Sequence, residues 1–322
     1  MRTYVISRLI QAFITIVIAF AFSFFLFRVI PGDPTMAITG DPRLPAATKQ
    51  LLRMQFGLDQ PISTQFYMYL LNVFQGNFGV SYQYKVPVSQ ILGTRLLNTL
   101  ILLVPATVLS VLLGITMGMM AGWFRGKRID TLLTSAAILS WSAPSFWGGM
   151  VMIYLFAVYF RFFPTSGMMG YNVFNSNWWS NAADILYHAL LPMITYSAMY
   201  SGEYALVLRN ALSGVLSEDY ILMARAKGCT GSQLLRRHAL KNASLPLVTL
   251  IGMSVGHLAL GSITVETVFN WPGVGRLFYD AIFYHDYPVL QGAFLIFTVG
   301  MILMILLVDI LYTYLDPRVR LR

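Results

Sequence analysis

The sequence predicts an all-α integral membrane protein with six transmembrane helices. Of its 322 residues 57% are hydrophobic and only 11% are charged, whereas a soluble domain carries roughly a quarter charged residues. Uncharged stretches long enough to cross a bilayer recur along the chain, and the basic residues between them fall on one predicted face. These features indicate that lipid covers much of the protein surface.

The first predicted span is the run 9–27, which has 19 residues without a charge. At ~1.5 Å per residue such a helix crosses the hydrocarbon core. Arg2 and Arg8 precede it, as they would in a signal peptide, but Arg28 follows it and no small-residue cleavage site does. The sequence therefore predicts a retained transmembrane helix.

Five further uncharged stretches complete the six predicted spans: 96–124, 131–160, 185–202, 242–265 and 287–308. The stretch 162–183 is also uncharged, but its four asparagines and its proline predict a loop at the membrane surface. Glycines at every fourth position, such as Gly114, Gly118 and Gly122, predict close helix contacts within the spans. Three prolines should bend their helices unless they lie in a first turn; these are Pro105, Pro144 and Pro192.

Six spans place both termini on one side, and the positive-inside rule makes that side cytoplasmic. The basic residues on that face are Arg2, Arg8, Arg125, Lys127, Arg128, Arg225, Lys227, Arg236, Arg237, Lys241, Arg318, Arg320 and Arg322. The net charge of +9 thus reflects topology and attraction to anionic lipid, not binding to nucleic acid.

The predicted order is a first transmembrane helix (1–30), an extracytoplasmic segment (31–95), a five-helix core (96–315) and a cytoplasmic tail (316–322). Within the second part, Pro61 should begin a short helix that ends near Gly76. The core contains a cytoplasmic loop at 217–245. This division follows from the alternation of charged and uncharged sequence.

That cytoplasmic loop is predicted to be a basic helix–glycine–helix element. Asp219 opens the first helix and Arg225 lies in its last turn, an order that complements the helix dipole. Gly228 can adopt the left-handed conformation that ends a helix. Thr230 and Gln233 form a capping-box pattern for a second helix. The defined shape predicts docking on a partner protein, with a lipid surface as the alternative.

The loop resembles the cytoplasmic "EAA" loop of bacterial and archaeal ABC importer permeases, and more narrowly that of the B-type permease of the dipeptide, oligopeptide and nickel group. The loop residues that carry the resemblance are Asp219, Tyr220, Ala224, Arg225, Ala226, Lys227, Gly228, Arg237 and His238. Similar motifs extend over nearly the whole chain; they include Ile30-Pro31-Gly32-Asp33-Pro34, Phe56-Gly57-Leu58-Asp59-Gln60-Pro61, Gly76-Asn77-Phe78-Gly79, Trp271-Pro272-Gly273 and Asp316-Pro317-Arg318. Leu222 and Met223 depart from the pattern, because they stand where the Glu-Ala pair would be.

The resemblance implies a type-1, MetI-like permease in the cell membrane of a bacterium or archaeon. It also implies four kinds of partner: a second homologous permease subunit, two ABC ATPase subunits, an extracytoplasmic solute-binding protein and membrane lipid. ATP and magnesium would be used in the ATPase subunits, so this chain is expected to hold no cofactor, no metal and no catalytic residue. The implied function is import of di- or oligopeptides, or alternatively of nickel or oligosaccharides, by alternating access.

Glu203 directly follows the uncharged stretch 185–202 and is assigned to the same predicted helix, between Tyr200 and Tyr204. A carboxylate near the bilayer centre costs on the order of 3 kcal/mol, so it is either protonated, paired with a neighbouring helix, or exposed to a cationic solute. An ion-coupled secondary transporter is a rival interpretation, since such proteins use intramembrane acids. A remote one is a hydrolase, because the sequence around Ser254 matches a nucleophile-elbow motif.

Overall fold

The computed structural model describes residues 2–29, 50, 59–170, 177–258 and 261–315. The predicted motif at 30–34, most of the first half of the outer segment and the tail 316–322 lie outside the described residues. Every named element in the described part is helical, and its one β feature is an isolated bridge between Val80 and Pro87. The all-α prediction is confirmed.

The helices in chain order are α1 (Arg2–Val29), α2 (Ile62–Phe74), α3 (Val88–Trp123), α4 (Arg128–Ser142), α5 (Ser145–Met152), α6 (Trp178–Val215), α7 (Asp219–Ala226), α8 (Gly231–Gln233), α9 (Leu240–Ala243), α10 (Leu245–His257), α11 (Ile263–Val268), α12 (Val274–Phe283) and α13 (Tyr287–Leu315). Two π-helical segments interrupt this series. Ile153–Tyr159 continues α5, and Leu234–Ala239 joins α8 to α9.

Three helices in the described chain are long and apolar enough to cross a bilayer: Val5–Leu26, Val88–Trp123 and Tyr287–Ile310. A fourth crossing arises if α4 and α5, with its π-helical extension, form one bent span. Helix α6 surrounds the predicted span 185–202, and α10 covers thirteen residues of the predicted span 242–265. The count of six spans and the cytoplasmic position of both termini stay predictions.

The predicted span 131–160 bends by 103° between α4 and α5. Ala143 there is extended, with φ −72° and ψ 135°. Pro144 causes this, because its ring excludes the helical conformation of the preceding residue and it lacks an N–H to donate. The bend predicted at this proline is therefore confirmed, whereas α3 and α6 continue as helices through Pro105 and Pro192.

The chain divides into two compact units. The first contains the described parts of 1–99, 259–263 and 273–322. Its core joins the start of α3 to α12 and α13 through buried aliphatic side chains such as Leu92, Leu277 and Val289. Helix α1 packs along α13, where Phe22 contacts Phe294 at a ring distance of 6.2 Å.

The second unit contains 100–258 and 264–272, again within the described residues. Helices α3 and α4 both pack closely on α6. A Cβ built on Gly114 would lie 2.7 Å from the carbonyl oxygen of Ser201, and one on Gly122 would lie 3.0 Å from the side chain of Leu212. The close contacts predicted from the α3 glycines are thus confirmed.

Candidate functional site

The helix–glycine–helix element forms where the sequence predicts it. Helix α7 begins at Asp219 and ends at Ala226, and Gly228 follows with φ +82°. The Thr230 side chain accepts from the Gln233 N–H at 3.4 Å, while the Gln233 Oε1 accepts from the Thr230 N–H at 3.1 Å. Both bonds of the capping box are therefore made. The π-helical conformation of Leu234–Ala239 has no counterpart in the prediction.

The inner face of this element packs against α3 and α6 of the same unit. Ile221, Leu234 and Ala239 are almost fully buried and pack in one cluster with side chains of α6. Trp123, the last residue of α3, packs against the same cluster. The anchoring connects the element mechanically to α3 and α6, because buried side chains in a close-packed core move together.

The outer face combines two exposed apolar side chains with positive charge. Leu222 is 57% and Met223 is 61% exposed, and five exposed basic residues lie on the same element: Arg225, Lys227, Arg236, Arg237 and Lys241. Sequence reasoning noted Leu222 and Met223 only as departures from the family pattern. The signal was present, because Ile221 and Ala224 are three residues apart and point inward, which turns the two residues between them outward.

The predicted coupling residues divide between these two faces. Ala224 is buried and serves to anchor α7, and His238 is half-buried. The other seven are exposed: Asp219, Tyr220, Arg225, Ala226, Lys227, Gly228 and Arg237. The Asn242 side chain donates to the Tyr220 hydroxyl at 2.8 Å, which connects α7 to α9.

A partly buried ion pair, which the sequence analysis did not identify, connects α4 to α6. Arg209 on α6 donates from Nε to Asp130 Oδ1 at 3.0 Å and from Nη2 to Asp130 Oδ2 at 2.9 Å. Asp130 is 5% exposed and also accepts from the Gly126 N–H and the Thr134 hydroxyl. The hydrogen bonds from Arg209 hold the pKa of Asp130 well below its usual range.

The predicted solute-path residues lie together on α6. The Tyr204 hydroxyl donates to Ser254 Oγ on α10 at 2.7 Å, and its ring is buried. Tyr200 stacks on Tyr196 at a ring distance of 4.3 Å, and Glu203 is half-buried. These contacts form a tyrosine-rich cluster with a single carboxylate.

Ser254 lies inside the continuous helix α10, where its hydroxyl donates to the Leu250 carbonyl at 2.9 Å. A nucleophile elbow requires a sharp turn between a strand and a helix. The local structure at this serine is therefore that of a helix-packing residue, which explains the glycines around it as small packing residues.

Two protein families match this sequence. Residues 114–321 match the binding-protein-dependent transport system inner membrane component, and residues 1–103 match the N-terminal family of the same membrane component. A probable peptide ABC transporter permease protein of Sinorhizobium fredii is 38% identical over 99% of this chain and 100% of its own length. Glutathione transport system permease proteins of Salmonella typhimurium and Escherichia coli are each 38% identical over 99% of both chains.

The matches, the helical fold and the apolar spans agree with the resemblance seen in the sequence. This chain belongs to the family of binding-protein-dependent transport system inner membrane components, and it is the inner-membrane permease component of an ABC importer.

Proposed function

We propose that this permease imports short peptides or related small solutes by alternating access, driven by ATP hydrolysed on two separate ATPase subunits. A second permease subunit would complete the path, and an extracytoplasmic binding protein would deliver the solute. The names of the relatives, peptide permease and glutathione permease, support the substrate class. In this proposal ATP and magnesium are used in the partner subunits, and this chain contributes no catalytic residue.

The observation that carries the proposal is the two-faced structure of the element formed by α7, α8 and α9. Its inner face is buried against α3 and α6, and its outer face exposes an apolar pair within positive charge. An apolar anchor surrounded by charge is typical of protein–protein contact sites, because the anchor supplies binding energy and the charge orients the partner.

The proposed coupling follows from this geometry. Leu222 and Met223 insert into a groove of the ATPase, and the exposed basic residues face acid groups on it. When the ATPase subunits close, α7 moves with them. Ile221 transmits this displacement to α6, because it is fully buried against that helix and a close-packed contact does not yield.

Gly228 provides the main test. At φ +82° an alanine costs about 1 kcal/mol of backbone strain. Among the described residues, and apart from its two chain neighbours, none has an atom within 4 Å of the Cβ position. Gly167 is the matched control, because it has φ +92° and only one distant neighbour in a loop of the same unit. Gly228→Ala should reduce both solute uptake and solute-stimulated ATP hydrolysis in proteoliposomes, whereas Gly167→Ala should not. Equal uptake by the two variants would contradict the proposal.

A charge on the outer face tests the contact itself. Met223→Asp should weaken co-purification of the ATPase subunits, because it places a carboxylate in an apolar interface. Wild-type uptake that persists in ATP-depleted vesicles under a proton gradient would instead support the secondary-transporter rival.

Glu203 is proposed to contact a cationic group of the solute, such as a peptide amine. Its half-buried position within the tyrosine cluster supports this. A carboxylate within a membrane span is energetically costly, and such acids commonly mark the path of a solute or an ion. Glu203→Gln should raise the KM for a peptide with a free amine more than for its N-acetylated form. Glu218, an exposed acid that precedes α7, provides the control substitution Glu218→Gln. Equal KM changes for the two peptides would refute this role.

A further inference from the structure

A cavity of about 580 Å³ lies in the first unit, between α2 and the first turns of α13. Cavities of this size are typical of sites for small ligands. Among the described residues that line it, five carry carboxamides and none is charged; the five are Gln60, Gln65, Asn72, Asn77 and Gln291. This cavity shares no residue with the element formed by α7, α8 and α9.

The lining chemistry selects the class of ligand. A carboxamide has both hydrogen-bond donors and an acceptor. Five carboxamides in one cavity can therefore pair with neutral ligand groups that contain both a donor and an acceptor. A phosphate or an ammonium group would lose hydration there without meeting an opposite charge. Met68, Val73 and Phe78 add apolar surface beside the amides. A peptide backbone with small side chains meets both requirements.

Hydrogen bonds between the lining residues hold several of these groups in place. Asn77 Oδ1 accepts from the Gly79 N–H at 3.1 Å, and Asn77 Nδ2 lies 3.5 Å from Asn72 Oδ1. Gln65 Nε2 donates to the Gln60 carbonyl at 2.7 Å. Groups fixed in this way lose little freedom on binding, which favours affinity.

The turn and loop that form the rim of the cavity, residues 78–83, contact α13 and the residue before it. A Cβ on Gly292 would lie 3.3 Å from the Cβ of Phe78, so the turn that carries Phe78 sits directly on α13. The loop that follows is tied to the buried Asp286, which accepts from the Ser81 hydroxyl at 2.5 Å and from the Gln83 N–H at 3.1 Å. The rim is therefore part of the rigid core of this unit.

We propose that this cavity binds an extended peptide backbone. The backbone can come from the imported peptide itself or from a segment of the delivering binding protein, since both present the same amide groups. The choice of these two sources rests on the proposed function, whereas the affinity for a peptide backbone rests on the lining residues alone.

The test uses the complete transporter in proteoliposomes with radiolabelled trialanine as the probe. The double substitution Asn72→Leu with Gln291→Met removes two carboxamides at nearly constant volume. Gln75→Met is the control, because Gln75 ends α2 outside the cavity. Each lost neutral hydrogen bond weakens binding by about 5-fold, so the KM for trialanine should rise by about 10- to 30-fold. Gln75→Met should leave the KM, the maximal rate and the basal ATP hydrolysis unchanged.

The affinity for the empty binding protein distinguishes the two sources. If it is unchanged while the KM rises, the cavity binds the imported peptide; if it falls by a similar factor, the cavity binds a segment of the binding protein. Unchanged KM and affinity, relative to Gln75→Met, would overturn the proposal. If the double variant does not assemble, Asn72→Ser provides a milder substitution with the same two readouts, and no change in either would overturn the proposal equally.

A photoreactive tripeptide with a central benzoylphenylalanine separates this proposal from the proposed function. It should crosslink to α2 or α13 without ATP, even if the coupling at Gly228 proves wrong. Crosslinks confined to other helices together with an unchanged affinity for the binding protein would refute the binding site and leave the coupling proposal intact. A phospholipid recovered from the cavity in place of the peptide would refute it as well.

Discussion

The ion pair between Asp130 and Arg209 gives the most direct test of the structure. The two side chains are 79 positions apart in the sequence and meet through two parallel hydrogen bonds of 3.0 and 2.9 Å. Asp130→Asn should keep part of the contacts with Gly126 and Thr134 but lose the charge that Arg209 requires. The guanidinium is then left partly buried without its carboxylate.

The expected magnitude follows from the burial of the two partners. Removal of one partner from a fully buried pair costs about 3–5 kcal/mol. The side chain of Asp130 is 7% exposed but that of Arg209 is 26% exposed, so water screens the remaining charge. We therefore expect Asp130→Asn to lower the free energy of unfolding by about 2–3 kcal/mol.

A double-mutant cycle isolates the pair from the neighbouring contacts. Asp130→Asn, Arg209→Gln and the double variant would be compared by denaturant unfolding in detergent, and their interaction energy should be about 2 kcal/mol. Arg276 and Asp280 on α12 form the control pair, with a 3.6 Å separation and both side chains about a quarter to a third exposed. Their interaction energy should stay below about 0.5 kcal/mol. Equal energies for the two pairs would refute the structural role.

The pH dependence has a definite sign. The hydrogen bonds from Arg209 lower the pKa of Asp130 in the folded protein, so the folded state binds this proton less readily than the unfolded state does. The stabilisation is fully present above the unfolded pKa of about 4 and decreases as the pH falls below it. The stability difference between wild type and Asp130→Asn should therefore shrink between pH 5 and pH 3. A difference that grew with acid would contradict this assignment.

Three further predictions concern packing, a buried acid and a helix cap. Gly202→Ala should lower the melting temperature, because its Cβ would overlap the backbone of α4, whereas Gly214→Ala on the same helix has open space and should not. Asp286→Ala should speed hydrogen exchange in the loop that follows α2 and cost about 3 kcal/mol, since it leaves buried donors unpaired. Thr230→Ala should speed exchange of the Gln233 amide, with a loss of about 1 kcal/mol in local stability; unchanged exchange would contradict the cap.

Local features of the fold were predictable because they depend on single residues. Proline fixes its own conformation and that of the residue before it, which predicted the start of α2 after Pro61 and the bend at Pro144. Glycine tolerates positive φ, which predicted the left-handed turn at Gly228. The helix end predicted near Gly76 is also present, since α2 ends at Phe74 and Gly76 has positive φ. The capping box at Thr230 also follows from residues only three positions apart.

The features that the sequence analysis missed depend on distant contacts or on the length of a helix. The sequence analysis assigned no partner to Arg209, but it is paired with an acid 79 positions away. An uncharged run predicts which part of a helix can lie in lipid, but it does not predict where the helix begins and ends. Helix α6 therefore extends over 38 residues around the predicted span 185–202, and α10 ends at His257 within the predicted span 242–265.

Helix α6 links most of the functional features of the second unit. Its C-terminal part carries Arg209 and the contacts of α7. The Glu203 cluster lies about three helical turns before the end of this helix at Val215. Gly118 of α3 and Gly202 of α6 allow backbone-to-backbone contacts on two sides of this helix. Such contacts leave little room for sliding. We therefore expect a displacement of α7 to move α3, α4 and α6 together and to reach the tyrosine cluster as a rigid shift.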